Sequence, residues 1–147
     1  MNASFEDVTV LDHFIEKHKG DWETIFTAYE KARKANADAI GDLAEENYYE
    51  MRDHVANPLF KQKRKLEMAL EKEYPDDYFS KYSMVTFKEE IGYHDAMTKG
   101  RAQDKAILNM LADGTLNPDE DLETIFEKVK NETDAILEDD RIAGLKY

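Results

Sequence analysis

Cysteine is absent from this 147-residue chain, which excludes a disulfide framework, a thiolate metal site and a cysteine nucleophile. Long apolar runs are absent too. No stretch approaches the roughly 20 residues needed to cross a bilayer, and the N-terminus shows no basic region followed by a hydrophobic one. The expectation is a chain that neither spans a membrane nor carries a secretion signal, in a cytoplasmic setting. Positive charge is scarce: 20 Lys and Arg face 33 Asp and Glu, for a formal net charge of -13. That excess repels nucleic acid, and the one basic cluster, Lys61, Lys63, Arg64 and Lys65, reads as a solvated helix face. Glycines are few. Those at 20, 41, 92, 100, 114 and 144 cannot be set into G-x-G-x-x-G, so no dinucleotide-binding βαβ unit is legible.

What is present points to helices. A composition 41% hydrophobic and 36% charged suits one domain with a modest core and a mainly α fold. Phe5, Val8, Leu11, Phe14 and Ile15 recur at helical spacing, and Gly20 is placed as a stop. Asp21 is placed to cap a second helix carrying Trp22, Ile25, Phe26 and Tyr29, which runs almost continuously into the next through Ala35 to Ile40. Asn57 and Pro58 break the pattern and open a further helix to about Glu73. Tyr74 to Tyr82 reads as a loop, Met84 to Phe87 as a short extended piece, and Glu89 to Thr98 as a helix. Gly100 and Asp113-Gly114 bracket the next helix, and Asn117-Pro118 opens a final one. Asn117 to Asp140 holds ten Asp and Glu against two Lys, so residues 114–147 form an acidic helical tail.

One stretch invites a functional reading: Asp42 to Val55, DLAEENYYEMRDHV. On a helix of 3.6 residues per turn, Leu43, Asn47, Met51 and His54 or Val55 share one face, so Asn47 is expected to point inward. An inward amide needs hydrogen-bond partners, supplied by the protein, by water or by a ligand. Glu46, Glu50 and His54 at i, i+4 and i+8, with Glu90 and His94, are one residue too widely spaced for the Glu-x-x-His of di-metal bundles, and they read as a solvated face rather than a metal site. Neither Ser80 nor Ser83 lies in a nucleophile elbow. Asn131-Glu132-Thr133 has the form of a glycosylation acceptor, without any sign of secretion.

Three runs in order, MNASFED at 1–7, EENYYEMRDHV at 45–55 and KYSMVTF at 81–87, resemble the C-terminal third of the kynurenine 3-monooxygenases, a family of FAD-dependent aromatic hydroxylases. The resemblance covers Met1 to about Ala112. It implies the helical C-terminal part of a flavin monooxygenase, truncated so as to lack the dinucleotide-binding α/β domain. Residues 1–20 would be the last helix of the FAD-binding domain and 21–113 a helical substrate-side domain. Met1 and Asn2 match positions whose backbone amides approach the flavin ring, with Ser4 standing where the family has glycine. Asn47 matches the asparagine of N-x-x-E-M-R and Tyr82 the tyrosine ahead of the M-V-T-F run; both are similar to residues that hold the substrate's amino-acid carboxylate. Met51 would line the aromatic end of that pocket, its plainer reading being core.

The implied activity is that of the parent, hydroxylation of L-kynurenine to 3-hydroxykynurenine with FAD, NADPH and O2, a step of tryptophan catabolism and NAD biosynthesis. No residue here is expected to do acid or base work, and the chain alone is expected to be inactive and to bind no FAD or NADPH. Its partners would be the missing N-terminal FAD domain and, through uncovered apolar surface, further copies of itself. The alternative is a non-catalytic acidic helical interaction module.

Overall fold

Local chemistry explains most of the element boundaries in the computed structural model, which describes residues 2–54 and 56–144. Helix α1 (Asn2–His18) ends where Lys19 and Gly20 turn left-handed, at φ 46° and 92°. Asp21 then caps α2 (Trp22–Tyr49), accepting from the Thr24 backbone N–H at 3.3 Å and from its hydroxyl at 2.7 Å. The two helices expected to be nearly continuous are one helix of 28 residues. It passes into a π-helical turn, Glu50–His54. Asn57 caps α3 (Pro58–Glu73), accepting from the Leu59 N–H at 2.9 Å, with Pro58 in the first turn.

Three boundary expectations are corrected. Met84 to Phe87 is not extended: it belongs to α4 (Lys81–Phe87), so Tyr82 sits on a helix rather than ending a loop. No partner strand lies beside it among the described residues, and the helical form buries Lys81 and Met84 together, three positions apart. Glu89 to Thr98 and the segment after Gly100 are one helix, α5 (Tyr93–Asp113), with Gly100 inside it. The reason is packing: a Cβ on Gly100 would meet Lys81 Cβ and Cγ at 2.6 Å and Lys81 Cα at 2.9 Å. Glycine lets α4 lie directly on α5. Finally, Asn117-Pro118 makes a turn, and α6 (Leu122–Gly144) begins after Asp121, whose carboxylate accepts from the Thr124 N–H at 2.8 Å.

Helix α5 is the axle. On one side Ala102, Ala106, Ile107 and Met110 join Leu66 and Leu70 of α3, Tyr78, Leu116, and Ile125, Val129 and Ile136 of α6 in the larger core. On the other, Tyr93 and Met97 meet Ala39 and Leu43 of α2, with Tyr82 and Val85 packed against them. Six α-helices, one π-helical turn and no strand are found among the described residues, so the fold is mainly α. No helix among them is long and apolar enough to cross a membrane. The acidic tail is no loose appendage, because Ile125 and Val129 at helical spacing give it an apolar stripe and leave its carboxylates outside.

Candidate functional site

The π-helical turn, α3 and α4 enclose a cleft of about 270 Å3, with Asn47, Met51 and Tyr82 among its lining residues. The three positions singled out for substrate contact are thus brought together. Asn47 is exposed at the wall of this cleft rather than turned into a core, a correction to the periodicity reading. The stripe through Leu43 enters the core, but one and two turns later the inward direction is taken by Glu46 and Glu50, which reach a buried lysine. Met51 is 68% exposed and lines the cleft instead of filling a core. Val55 and the His54 side chain lie outside the described residues.

Tyr82 is half-buried, and its hydroxyl is buried without a hydrogen-bond partner. Burial pushes its phenol up to about 12; the Lys81 ammonium opposes this, while Glu50 and Glu46 add to it. It therefore remains a proton donor through the neutral range.

Beneath the cleft lies a charge network that sequence reading missed. Lys81, 4% exposed, places Nζ 3.0 Å from Glu46, 2.8 Å from Glu50 and 3.1 Å from Asp104. Lys63 reaches the other Asp104 oxygen at 2.6 Å and Glu67 at 3.2 Å. Arg101 adds a bond to Glu46 at 2.6 Å, and Arg64, half exposed at the cleft, lies 3.4 Å from Glu67. Burial works against the Lys81 charge, yet Asp104, Glu50 and Glu46 outweigh it and hold its ammonium above the ordinary lysine value. Burial raises the Glu67 carboxyl, against the pull of Lys63. Lys63 is consequently no part of a solvated basic face, because it is buried and four acidic partners, Glu46, Glu50, Glu67 and Asp104, surround the two lysines. The only signal in the sequence was Lys81 standing next to Tyr82, and nothing local marks Asp104 as its partner.

Glu46 and Glu50, at the spacing of a metal-binding pair, hold Lys81 instead; among the described residues no group of three His, Asp or Glu side chains is placed to hold a metal ion. For FAD, Met1 and the Asn2 side chain lie outside what is described. Helix α1 starts at Asn2 with no acidic side chain in its first turn, so its free amides meet no competing anion there. One helix end is a single contact and not a cradle for a dinucleotide, so these residues alone do not fit the whole cofactor.

No family model matches the chain. Among curated proteins it is similar to the kynurenine 3-monooxygenase of Cytophaga hutchinsonii, 42% identical over 113 residues, which is 76% of this chain and 25% of that protein. Kynurenine 3-monooxygenases of Myxococcus xanthus (40% identical; 78% of this chain, 24% of that protein) and Dictyostelium discoideum (38%; 85% and 29%) match comparably. The chain spans about a quarter of the length of these relatives. With a cleft lined by Asn47, Met51 and Tyr82 set in an all-helical frame, this chain corresponds in sequence to the C-terminal portion of the kynurenine 3-monooxygenases.

Proposed function

We propose that the chain is the substrate-side portion of a monooxygenase that hydroxylates L-kynurenine to 3-hydroxykynurenine with NADPH and FAD, in the cytoplasm. The observation that carries this is the convergence of Asn47, Met51 and Tyr82, from α2, the π-helical turn and α4, on one cleft. FAD, when bound elsewhere in such a protein and reduced by NADPH, supplies the activated oxygen; the residues of this chain bind and orient. The Asn47 amide and the Tyr82 phenol are neutral donors suited to an amino-acid carboxylate. The cations lining the cleft are already engaged, Lys81 with Glu46, Glu50 and Asp104, Lys63 with Asp104 and Glu67, and Arg64 with Glu67. A further cation for the carboxylate would come from outside this chain. Met51 offers a polarisable apolar surface to an aromatic ring. In this proposal residues 1–20 close the FAD-binding domain, 21–113 form the substrate side, and the tail from residue 114 braces α5.

The test uses the longer protein with FAD bound. Asn47→Ala and Tyr82→Phe should each raise KM for kynurenine about 5- to 100-fold, as expected for one lost hydrogen bond to a charged group, with flavin content unchanged. Loss of ring placement beneath the flavin would lower kcat and uncouple NADPH oxidation as well. Unaltered KM and coupling in both variants would remove the assignment and leave the non-catalytic helical module as the reading. The 147-residue chain purified alone should be colourless; stoichiometric flavin on it would contradict the proposed division of labour.

A further inference from the structure

The two buried lysines beneath the cleft converge on one carboxylate, that of Asp104 on α5. One of its oxygens lies 2.6 Å from Lys63 Nζ and the other 3.1 Å from Lys81 Nζ. Lys63 belongs to α3 and Lys81 to α4, so a single side chain ties two walls of the cleft to the axle. Of the two lysines, Glu67 pairs with that of α3, and Glu46 and Glu50 with that of α4; among these carboxylates Asp104 alone takes both. Burial lowers the Lys81 ammonium, and of the groups that outweigh burial Asp104 acts most strongly. Asp104 itself does not line the cleft, and its side chain is 16% exposed.

Each lysine also faces an aromatic ring of the cleft. Lys81 Nζ lies 5.1 Å from the centre of the Tyr82 ring, and Lys63 Nζ lies 5.3 Å from the centre of the Phe60 ring. Tyr82 and Phe60 sit on the same helices as the lysines that face them, so holding both ammonium groups on Asp104 fixes the gap between the two rings. Apolar packing does not do this for α3. Its buried residues are Lys63, Leu66, Glu67 and Leu70, so the one nearest the Phe60 end is Lys63, and that end reaches α5 through the ion pair with Asp104. A carboxylate suits the task, because an anion shared by two buried ammonium groups offsets the cost of burying both.

We propose that Asp104 is a positioning residue for the substrate: through Lys81 and Lys63 it holds the Tyr82 phenol and the Phe60 ring at a set separation across the cleft, without touching the substrate itself. Phe60 then serves as a further wall for the substrate's aromatic ring. This inference rests on the substrate reading of the cleft and adds to it a residue of α5 that acts from beneath.

The experiment places Asp104→Asn in the longer protein with FAD bound and in the 147-residue chain. Asparagine keeps the size but turns an NH2 group toward one of the two ammonium groups, so one arm is released. In the longer protein KM for kynurenine should rise about tenfold, with flavin content and KM for NADPH unchanged. A role in folding alone would reduce the amount of active enzyme, lowering kcat at unaltered KM, and that result overturns the proposal. In the 147-residue chain, followed by NMR, the ring resonances of Tyr82 and Phe60 should shift while the Ile125 and Val129 methyls of the larger core stay in place. Rings that do not move overturn the proposal as well. Where Asp104→Asn does not fold, Lys63→Gln releases the α3 arm by itself; it should move the Phe60 ring and raise KM, and an unmoved ring or an unaltered KM overturns the proposal. The substrate reading is tested apart from this, because a KM raised by Asn47→Ala and Tyr82→Phe but not by Asp104→Asn defeats the positioning role and leaves that reading standing.

Discussion

Lys81 is the residue on which the cleft depends most. Its ammonium joins Glu46 and Glu50, on either side of Asn47 in the chain, to the helix carrying Tyr82, and so sets the distance between the two proposed substrate contacts. Replacing one partner of a buried ion cluster leaves the others uncompensated, and Lys81→Met should lower stability by about 3 to 5 kcal/mol, read from urea unfolding midpoints. Glu67 gives a pH signature. Burial raises its folded carboxyl above the unfolded value, so the folded state keeps its proton to higher pH than the unfolded state does. That contribution is complete below the ordinary carboxylate range and is lost as pH climbs through the raised value. Glu67→Gln should therefore flatten the fall in stability as pH climbs above the ordinary carboxylate range, measured as unfolding midpoint against pH. Sequence periodicity alone put Asn47 inside; the side chains that do turn inward here are charged, and their partner lies on another helix.

Element boundaries followed caps where caps existed. Gly20, Asp21, Asn57-Pro58 and Gly114 mark ends that local hydrogen bonding and left-handed backbone enforce without help from the rest of the molecule. Helix α4 is different, a seven-residue segment holding Val85, Thr86 and Phe87, residue types that suit strands. It is helical because its buried face, Lys81 and Met84, lies on α5 at Gly100. Helix propensity alone would make Gly100→Ala stabilising by about 1 kcal/mol. Contact at 2.6 Å with Lys81 Cβ, and 2.9 Å with its Cα, cannot be relieved by rotating a side chain. We expect net destabilisation of about 1 to 3 kcal/mol and displacement of α4, seen as a lowered melting temperature and altered Tyr82 shifts.

At the scale of the molecule, α5 carries two cores and the buried charges between them, while several large apolar side chains stay uncovered. Phe5 and Val8 of α1 and Phe87 of α4 are 66%, 67% and 75% exposed. Phe5 also lines a depression of about 650 Å3 between α1, α2 and the turn after α4. Such patches drive association in water. The chain should sediment above its 17.1 kDa mass as concentration rises, and Phe5→Ser with Val8→Ser should return it to monomer. A clean monomer at all concentrations would show that their exposure is tolerated in solution.

The amino-acid pattern determined by itself that the chain is helical, where most helices begin and end, and which apolar stripes exist, because caps, turns and 3.6-residue periodicity act over a few residues. The resemblance of 45–55 and 81–87 to one enzyme family likewise lay in short runs. Only the tertiary structure decided that Asn47 and Tyr82 share a cleft and that Lys63 and Lys81 are buried and both paired with Asp104. Buried charges are tolerated or explained by groups far away in the chain. Those pairings arise from how helices cross α5, and no window of neighbouring residues records them.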